Sequence, residues 1–235
     1  MTELSSGQTS ALTASRSRKW RPRFSPNGAT IAFTELDTLN VYEMPSAGGK
    51  PELICRECGQ ITGWSLDGTR ALVNALDGSI FLLDLKSRRK TRVLNRSGDF
   101  LADAFFSPDD RWIAFSDSTP FWRMYIVPFA GEHPIESSAW INIMEGHGGP
   151  AWSPDGNLVY DVSDRDGFLC LWSQRLDPQT KRPIGSPFPV FHAHNARISL
   201  RAGVEGSLLS AGHDRMFFEM TETNGNIWMQ EWTDR

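Results

Sequence analysis

One short block recurs four times along the chain: Phe24-Ser25-Pro26-Asn27-Gly28, Trp64-Ser65-Leu66-Asp67-Gly68, Phe106-Ser107-Pro108-Asp109-Asp110 and Trp152-Ser153-Pro154-Asp155-Gly156, at spacings of 40, 42 and 46 residues. Self-similarity at this period, with strand-like segments and no apolar pattern of helical period between the blocks, restricts the chain to an array of small sheets. The architecture that stacks such units without leaving long open edges is the β-propeller, whose blades are four-stranded antiparallel sheets.

The block reads as a tight turn. Serine can bond the backbone of the residues that follow, proline presets φ, and Asp then Gly tolerate the bridge and left-handed conformations that close a hairpin, so the preceding aromatic is expected in the core. Two positions depart from the pattern. Leu66 stands in the proline place, and Asp110 stands in the glycine place. A left-handed aspartate costs about 1 kcal/mol, so the Asp110 turn is expected to be the least regular.

Each turn is followed by a second strand (Ile31-Ala32-Phe33, Ala71-Leu72-Val73, Trp112-Ile113-Ala114-Phe115, Leu158-Val159-Tyr160), then a third (residues 40–44, 79–84, 124–127 and 169–173). A fourth lies near Leu53-Ile54, Arg92-Val93-Leu94, Trp140-Ile141 and Val190-Phe191. The expected fold is all-β, a propeller of about five four-stranded antiparallel blades at 19–57, 58–98, 99–146, 147–196 and 197–235 in one domain. Residues 176–189 read as a hairpin extension of blade four. The fifth unit has lost the turn block and runs out after three strands, at Leu208-Leu209-Ser210, Met216-Phe217-Phe218 and Asn226-Ile227-Trp228-Met229. A segment at 7–14, centred on residues 9–13, is the candidate to complete it and close the ring; without that closure the chain is a piece of a larger ring. A closed ring predicts a monomer.

Composition narrows the function classes. The hydrophobic fraction is 40%, enough for a core, and the net charge is −4, without the basic footprint of a nucleic-acid binder. Two basic runs, Arg16, Arg18, Lys19, Arg21 and Arg23 around Trp20, and Lys86, Arg88, Arg89 and Lys90, read as a solvated lead-in and a solvated hairpin tip. No apolar stretch reaches the ~20 residues of a membrane span, and residues 1–18 carry no apolar signal region, so the expected location is the cytoplasm. The three cysteines, Cys55, Cys58 and Cys170, are too few for a disulfide framework.

The aromatic-Ser-Pro-Asp-Gly blocks resemble the WD-like repeats of the TolB-like propeller superfamily over residues 12–232. Ser163-Asp164-Arg165-Asp166-Gly167-Phe168, Gln174-Arg175-Leu176-Asp177-Pro178 and Gly225-Asn226-Ile227-Trp228 are similar to the C-terminal propellers of bacterial multidomain proteins, where the module follows a serine/threonine kinase or a winged-helix DNA-binding domain. The resemblance implies the fold and a binding role. Neither a phosphate-cradling loop nor a Gly-x-Ser-x-Gly elbow occurs, so kinase and peptidase activities do not carry over.

Candidate chemistry is sparse. Cys55-Arg56-Glu57-Cys58 has half the ligands of a zinc site, and a local disulfide or two thiols fits it as well. His192 and His194 share one face of an extended segment, with His147 toward the same end of the ring, but sequence pairs no carboxylate with them, and no metal or cofactor is assigned. Asp164 and Asp166 around Arg165 lack the rest of a calcium loop and read as a polar hairpin facing water. Glu35 with Asp37, and Asp99, Asp103 and Asp109, are carboxylate groupings whose separation sequence does not give.

Trp20, Phe121 and Trp122 lie in loops or strand entries near arginines, the composition of binding hot spots. The reading is a non-catalytic module binding a protein or peptide on the face of the second-to-third strand loops and blade connections, with Trp20, Phe121, Trp122, Arg165, His147 and His192 as contact residues. The alternative is a metal-dependent small-molecule hydrolase or lyase of the lactonase-like propeller type, using His147, His192 and Asp164 in the central channel.

Overall fold

The computed structural model describes residues 6–119, 121–194, 198–200 and 209–222. Four antiparallel four-stranded sheets follow one another along the chain, each with its strands in sequence order. Blade one holds β1 (Lys19–Phe24), β2 (Thr30–Glu35), β3 (Asn40–Pro45) and β4 (Glu52–Cys55). Blade two holds β5 (Gln60–Trp64), β6 (Arg70–Asn74), β7 (Ile80–Asp84) and β8 (Lys90–Leu94). Blade three holds β9 (Leu101–Phe106), β10 (Trp112–Asp117), β11 (Arg123–Pro128) and β12 (Ile141–Glu145), the last preceded by a 3-10 turn, Ser137–Ala139. Blade four holds β13 (Ala151–Trp152), β14 (Leu158–Ser163), β15 (Cys170–Leu176) and β16 (Pro183–Phe191). No α-helix occurs among the described residues.

The fifth unit is a broken hairpin: β17 (Ile198–Leu200) pairs with β20 (Met220–Glu222), and β18 (Ser210–Ala211) with β19 (Met216–Phe217). Its expected third strand at 226–229 lies outside the described residues. In the N-terminal segment, Thr9 forms an isolated bridge, and Leu12 packs on Ile31, Phe33 and Met44 of blade one.

The first strands of blades one to four line a common cavity of 330 Å³, through Arg23 and Phe24, Thr62 and Trp64, Phe105 and Phe106, and Ala151 and Trp152, and β18 of unit five joins them through Ser210 and Ala211. The first strands are therefore innermost and the fourth strands outermost. Between successive sheets lie apolar clusters: Val41, Ile61 and Val73 between blades one and two, Leu82, Ile113 and Phe115 between two and three, and Ala114, Met124 and Trp152 between three and four. Val162, Leu171 and Leu200 join blade four to unit five.

The repeated block is the hairpin between the first and second strands. In each copy the serine is buried, its hydroxyl donates to the Asn or Asp two residues on, and it accepts the N–H five residues on, as in Ser65 with Asp67 at 2.6 Å and Arg70 at 3.0 Å. The Ser65 hydroxyl, with the N–H and hydroxyl of Thr69, holds the Asp67 carboxyl down to about 2. The preceding aromatics divide: Phe106 and Trp152 are buried, Trp64 is half-buried, and Phe24 is 55% exposed. Phe24 departs from the core expectation because among the described residues no sheet packs on its outer side.

The Asp110 turn is as regular as the others, contrary to expectation. Asp110 takes the left-handed φ of 55°, and its N–H reaches Ser107 O at 2.9 Å, matching Gly28, Gly68 and Gly156. Its carboxylate has a second role, accepting the N–H of Leu66 in the neighbouring blade at 2.7 Å. A proline at position 66 has no N–H to give, so the two departures from the repeat pattern compensate each other. In a double-mutant cycle over Leu66→Pro and Asp110→Gly, the coupling should be about 1 kcal/mol or more. Urea unfolding midpoints of the four proteins check it, and additivity within about 0.3 kcal/mol would contradict the link.

Candidate functional site

Two arrangements of polar side chains stand out, one at the axis and one at the end of the blades opposite the repeated turns. At the axis, β-bulges in the innermost strands turn Arg21 and Asp103 inward, with φ of 51° and 53°. Arg21 of blade one and Asp103 of blade three, both buried, meet in an ion pair across the axis. Arg23 lies beside them, stacked over Phe105, and burial with the neighbouring Arg21 lowers its guanidinium to about 10. Two members of the basic run read as a solvated lead-in are thus interior. The run misleads because a bulge, which sequence does not announce, reverses which side chains face the axis. The second run is exposed at the β7–β8 tip, where Arg88 pairs with Glu52 and Arg89 with Glu132.

Asp161 of β14 completes the axial group. Burial pushes its carboxyl up to about 8, helped by Asp103 and opposed by the N–H groups of Val162 and Gly148. The connection entering blade four is glycine-rich for room: a Cβ on Gly146 would sit 2.0 Å from Asp161 Oδ2, and one on Gly149 2.9 Å from Asp103 Cβ.

The sign of the pH dependence follows. An acid whose folded pKa exceeds its unfolded value of about 3.9 is protonated in the folded state and ionised in the unfolded state between the two. Its stabilising contribution is therefore complete at low pH and is lost as pH rises from about 4 to the folded value of about 8. Asp161→Asn cannot ionise, so its stability relative to wild type should rise steadily from pH 5 to pH 8. Urea midpoints at the two pH values check this, and parallel profiles would contradict a neutral Asp161.

At the end opposite the repeated turns, a cleft of 790 Å³ opens between blades three and four. Phe121 and Trp122 from the β10–β11 loop form one wall, residues 143–147 the floor, and Ser163 at the end of β14 with Asp164 and Arg165 of the β14–β15 turn the other wall. His147 Nε2 lies 2.6 Å from Asp164 Oδ1, and that hydrogen bond holds the Asp164 carboxyl below its usual range. Arg165 lies over the Trp172 ring at 4.9 Å and donates to Glu145 O at 2.9 Å, which fixes its guanidinium at the rim. Phe121 is 68% exposed. The arrangement offers an exposed aromatic, a fixed guanidinium and a carboxylate–imidazole pair.

The cleft gathers Phe121, Trp122, His147 and Arg165 of the six contact residues read from sequence. Trp20 lies apart, half-buried in β1 with the Arg21 guanidinium at 5.1 Å from its ring. His192 lies on the far side of the β14–β15 turn, with His194, Asp166 and Cys170. Asp164 and Asp166 are both exposed, as expected of a polar hairpin, and each is in addition engaged by histidines, because the β14–β15 turn folds against the blade connections. The three residues proposed for a catalytic metal in the channel do not converge: His147 and Asp164 line the cleft, His192 does not, and none lines the axial cavity. Of the carboxylate groupings, Glu35 stays beside Asp37, which pairs with Arg18 at the surface, whereas half-buried Asp99 pairs with Arg96, Asp109 closes a turn and Asp103 is axial.

Sequence reasoning missed Asp161 and Glu145, and read Asp166 only as part of a polar hairpin. Cys170, the first residue of β15, is buried and offers its sulfur to the same group as His192. Cys55 and Cys58 are joined in a disulfide.

No model of a known protein family matches the chain. An uncharacterized protein of Agrobacterium fabrum, Atu1656, is 31% identical over 156 residues, covering 61% of this chain and 51% of that protein. Among solved structures, TolB from Acinetobacter baumannii superposes with a TM-score of 0.64 at 18% identity, over 90% of this chain and 53% of that one. A putative TolB from Agrobacterium tumefaciens gives 0.63 at 23% identity, over 86% and 73%. Regucalcin from Agrobacterium tumefaciens, a calcium-binding protein, gives 0.56 at 17% identity, over 77% and 62%. The chain spans about half the length of Atu1656 and of the Acinetobacter TolB. These likenesses, together with the four-stranded antiparallel sheets set around one axis, identify the fold as a TolB-like β-propeller.

Proposed function

We propose that the chain is a binding module that takes an extended peptide or loop of a partner protein in the cleft between blades three and four. The observation that carries this reading is the cleft itself, 790 Å³ with a half-buried Trp122, a well-exposed Phe121 and Arg165 locked over Trp172. Interfaces draw most of their energy from such aromatic and arginine anchors, and an anchor whose rotamer is already fixed loses less entropy on binding. Glu145, Asp164 and His147 supply polar partners at the rim, so the fitting ligand has an apolar anchor flanked by hydrogen-bonding groups.

Selection of a phage-displayed random peptide library on the purified chain tests the reading. Peptides that share an apolar anchor should emerge, and Trp122→Ala or Arg165→Ala should weaken them by at least about 30-fold, a loss of about 2 kcal/mol, the threshold of a hot spot. Selected peptides indifferent to both substitutions would overturn it.

A metal-dependent small-molecule hydrolase is the second reading, and what favours it is the likeness in fold to regucalcin, a calcium-binding protein. Turnover of a lactone panel that depends on added divalent metal would put it first.

A further inference from the structure

Beyond the cleft, the β14–β15 turn and the segment leaving β16 bring together four side chains of three ligand types. His192, His194, Cys170 and Asp166 each offer one ligand atom, and these atoms all lie within 4.8 Å of one another. His192 Nδ1 is 3.2 Å and His194 Nε2 3.0 Å from the same oxygen, Asp166 Oδ2, and the two nitrogens are 3.1 Å apart. Ligand atoms about 2.0–2.1 Å from a tetrahedral zinc ion stand about 3.3 Å from one another, close to this spacing. The 3.1 Å approach of the two ring nitrogens requires at least one of them to be unprotonated there, the state in which an imidazole nitrogen can bind a metal.

The surroundings orient these groups as supports around a metal do. Asp166 Oδ1 is taken by the Phe168 N–H at 3.3 Å, leaving Oδ2 for the group. Phe168 stacks on the His194 ring at 4.6 Å. Buried Ala193, between the two histidines, donates its N–H to Cys170 Sγ at 3.4 Å, a bond that steadies a thiolate.

We propose that Asp166, Cys170, His192 and His194 form a zinc site that fastens the β14–β15 turn of blade four to the chain entering unit five. A thiolate with two imidazoles selects zinc over magnesium and calcium, and four protein ligands leave no open position, which makes the site structural.

The test uses the untagged chain, stripped with a chelator and titrated with Zn²⁺ against a chromophoric competitor, and with Co²⁺ followed by absorbance. One zinc should bind per chain with a Kd below about 1 µM at neutral pH, a loose bound for a structural zinc site. The Co²⁺ form should show the strong visible bands of tetrahedral coordination and a thiolate-to-metal charge-transfer band. His192→Ala and His194→Ala should each weaken zinc more than about 100-fold, beyond the loss typical of outer-shell partners. His147→Ala, outside the group, should leave affinity unchanged.

Both histidine side chains are 46% exposed, so their variants should keep the metal-free melting temperature of wild type even if Cys170→Ser fails to fold. Substoichiometric zinc, a cobalt form without the charge-transfer band, or stoichiometric binding that survives both histidine substitutions would overturn the site.

Discussion

Asp103→Ala should destabilise the chain by about 3–5 kcal/mol, because it leaves Arg21 buried beside Arg23 with no carboxylate to face. The cost arises from desolvation: both partners are interior, and a buried charge that loses its counter-ion keeps its penalty without the compensating attraction. Arg21→Met should cost a similar amount by stranding Asp103, whose Oδ2 already lacks a hydrogen-bond partner among the described residues. The double variant Arg21→Met, Asp103→Leu should recover most of the loss, since a well-packed apolar pair is commonly as stable as the ion pair it replaces. Urea midpoints of the four proteins decide the matter. Losses that simply add would mean that the pair does not act as a unit across the axis.

Trp152→Ala should cost about 3–5 kcal/mol, the range for truncating a large buried aromatic. Trp152 is 8% exposed and packs against Met124, Ile126, Val159 and Leu176, and its indole N–H donates to Phe105 O of blade three at 3.3 Å. The substitution therefore opens a cavity between blades three and four and removes an inter-blade hydrogen bond. Phe24→Ala, at the same place in the repeat but exposed, should stay below about 1 kcal/mol. Equal effects at the two positions would mean that the aromatics before the turns are equivalent, contrary to the burial of the structure.

Sheet order and turn chemistry were readable from sequence because they are local: serine, proline, aspartate and glycine specify a hairpin within five residues. The compensation between Leu66 and Asp110 was not, because it joins residues 44 apart and shows only as two separate lapses from a pattern. Arg21 and Asp103 were hidden by their bulges, which shift the inward face of a strand without leaving a mark in its composition. In the cleft, Phe121, Trp122, His147 and Arg165 were singled out as residue types, one by one, and only the packing of blade three on blade four shows that they line one cleft. The Asp166 group needed register as well, since Asp166, Cys170, His192 and His194 meet where a turn and an outer strand end at the same side of the sheet.

The central functional claim is that ligand is held at the cleft of blades three and four and not in the axial cavity. Amide hydrogen exchange with a peptide selected on the chain tests it most directly. Protection should appear at residues 121–123, 143–147 and 163–165, with residues 62–64 and 150–152 of the axial cavity unchanged. Protection confined to the axial residues, with the cleft exchanging as in the free chain, would contradict the account.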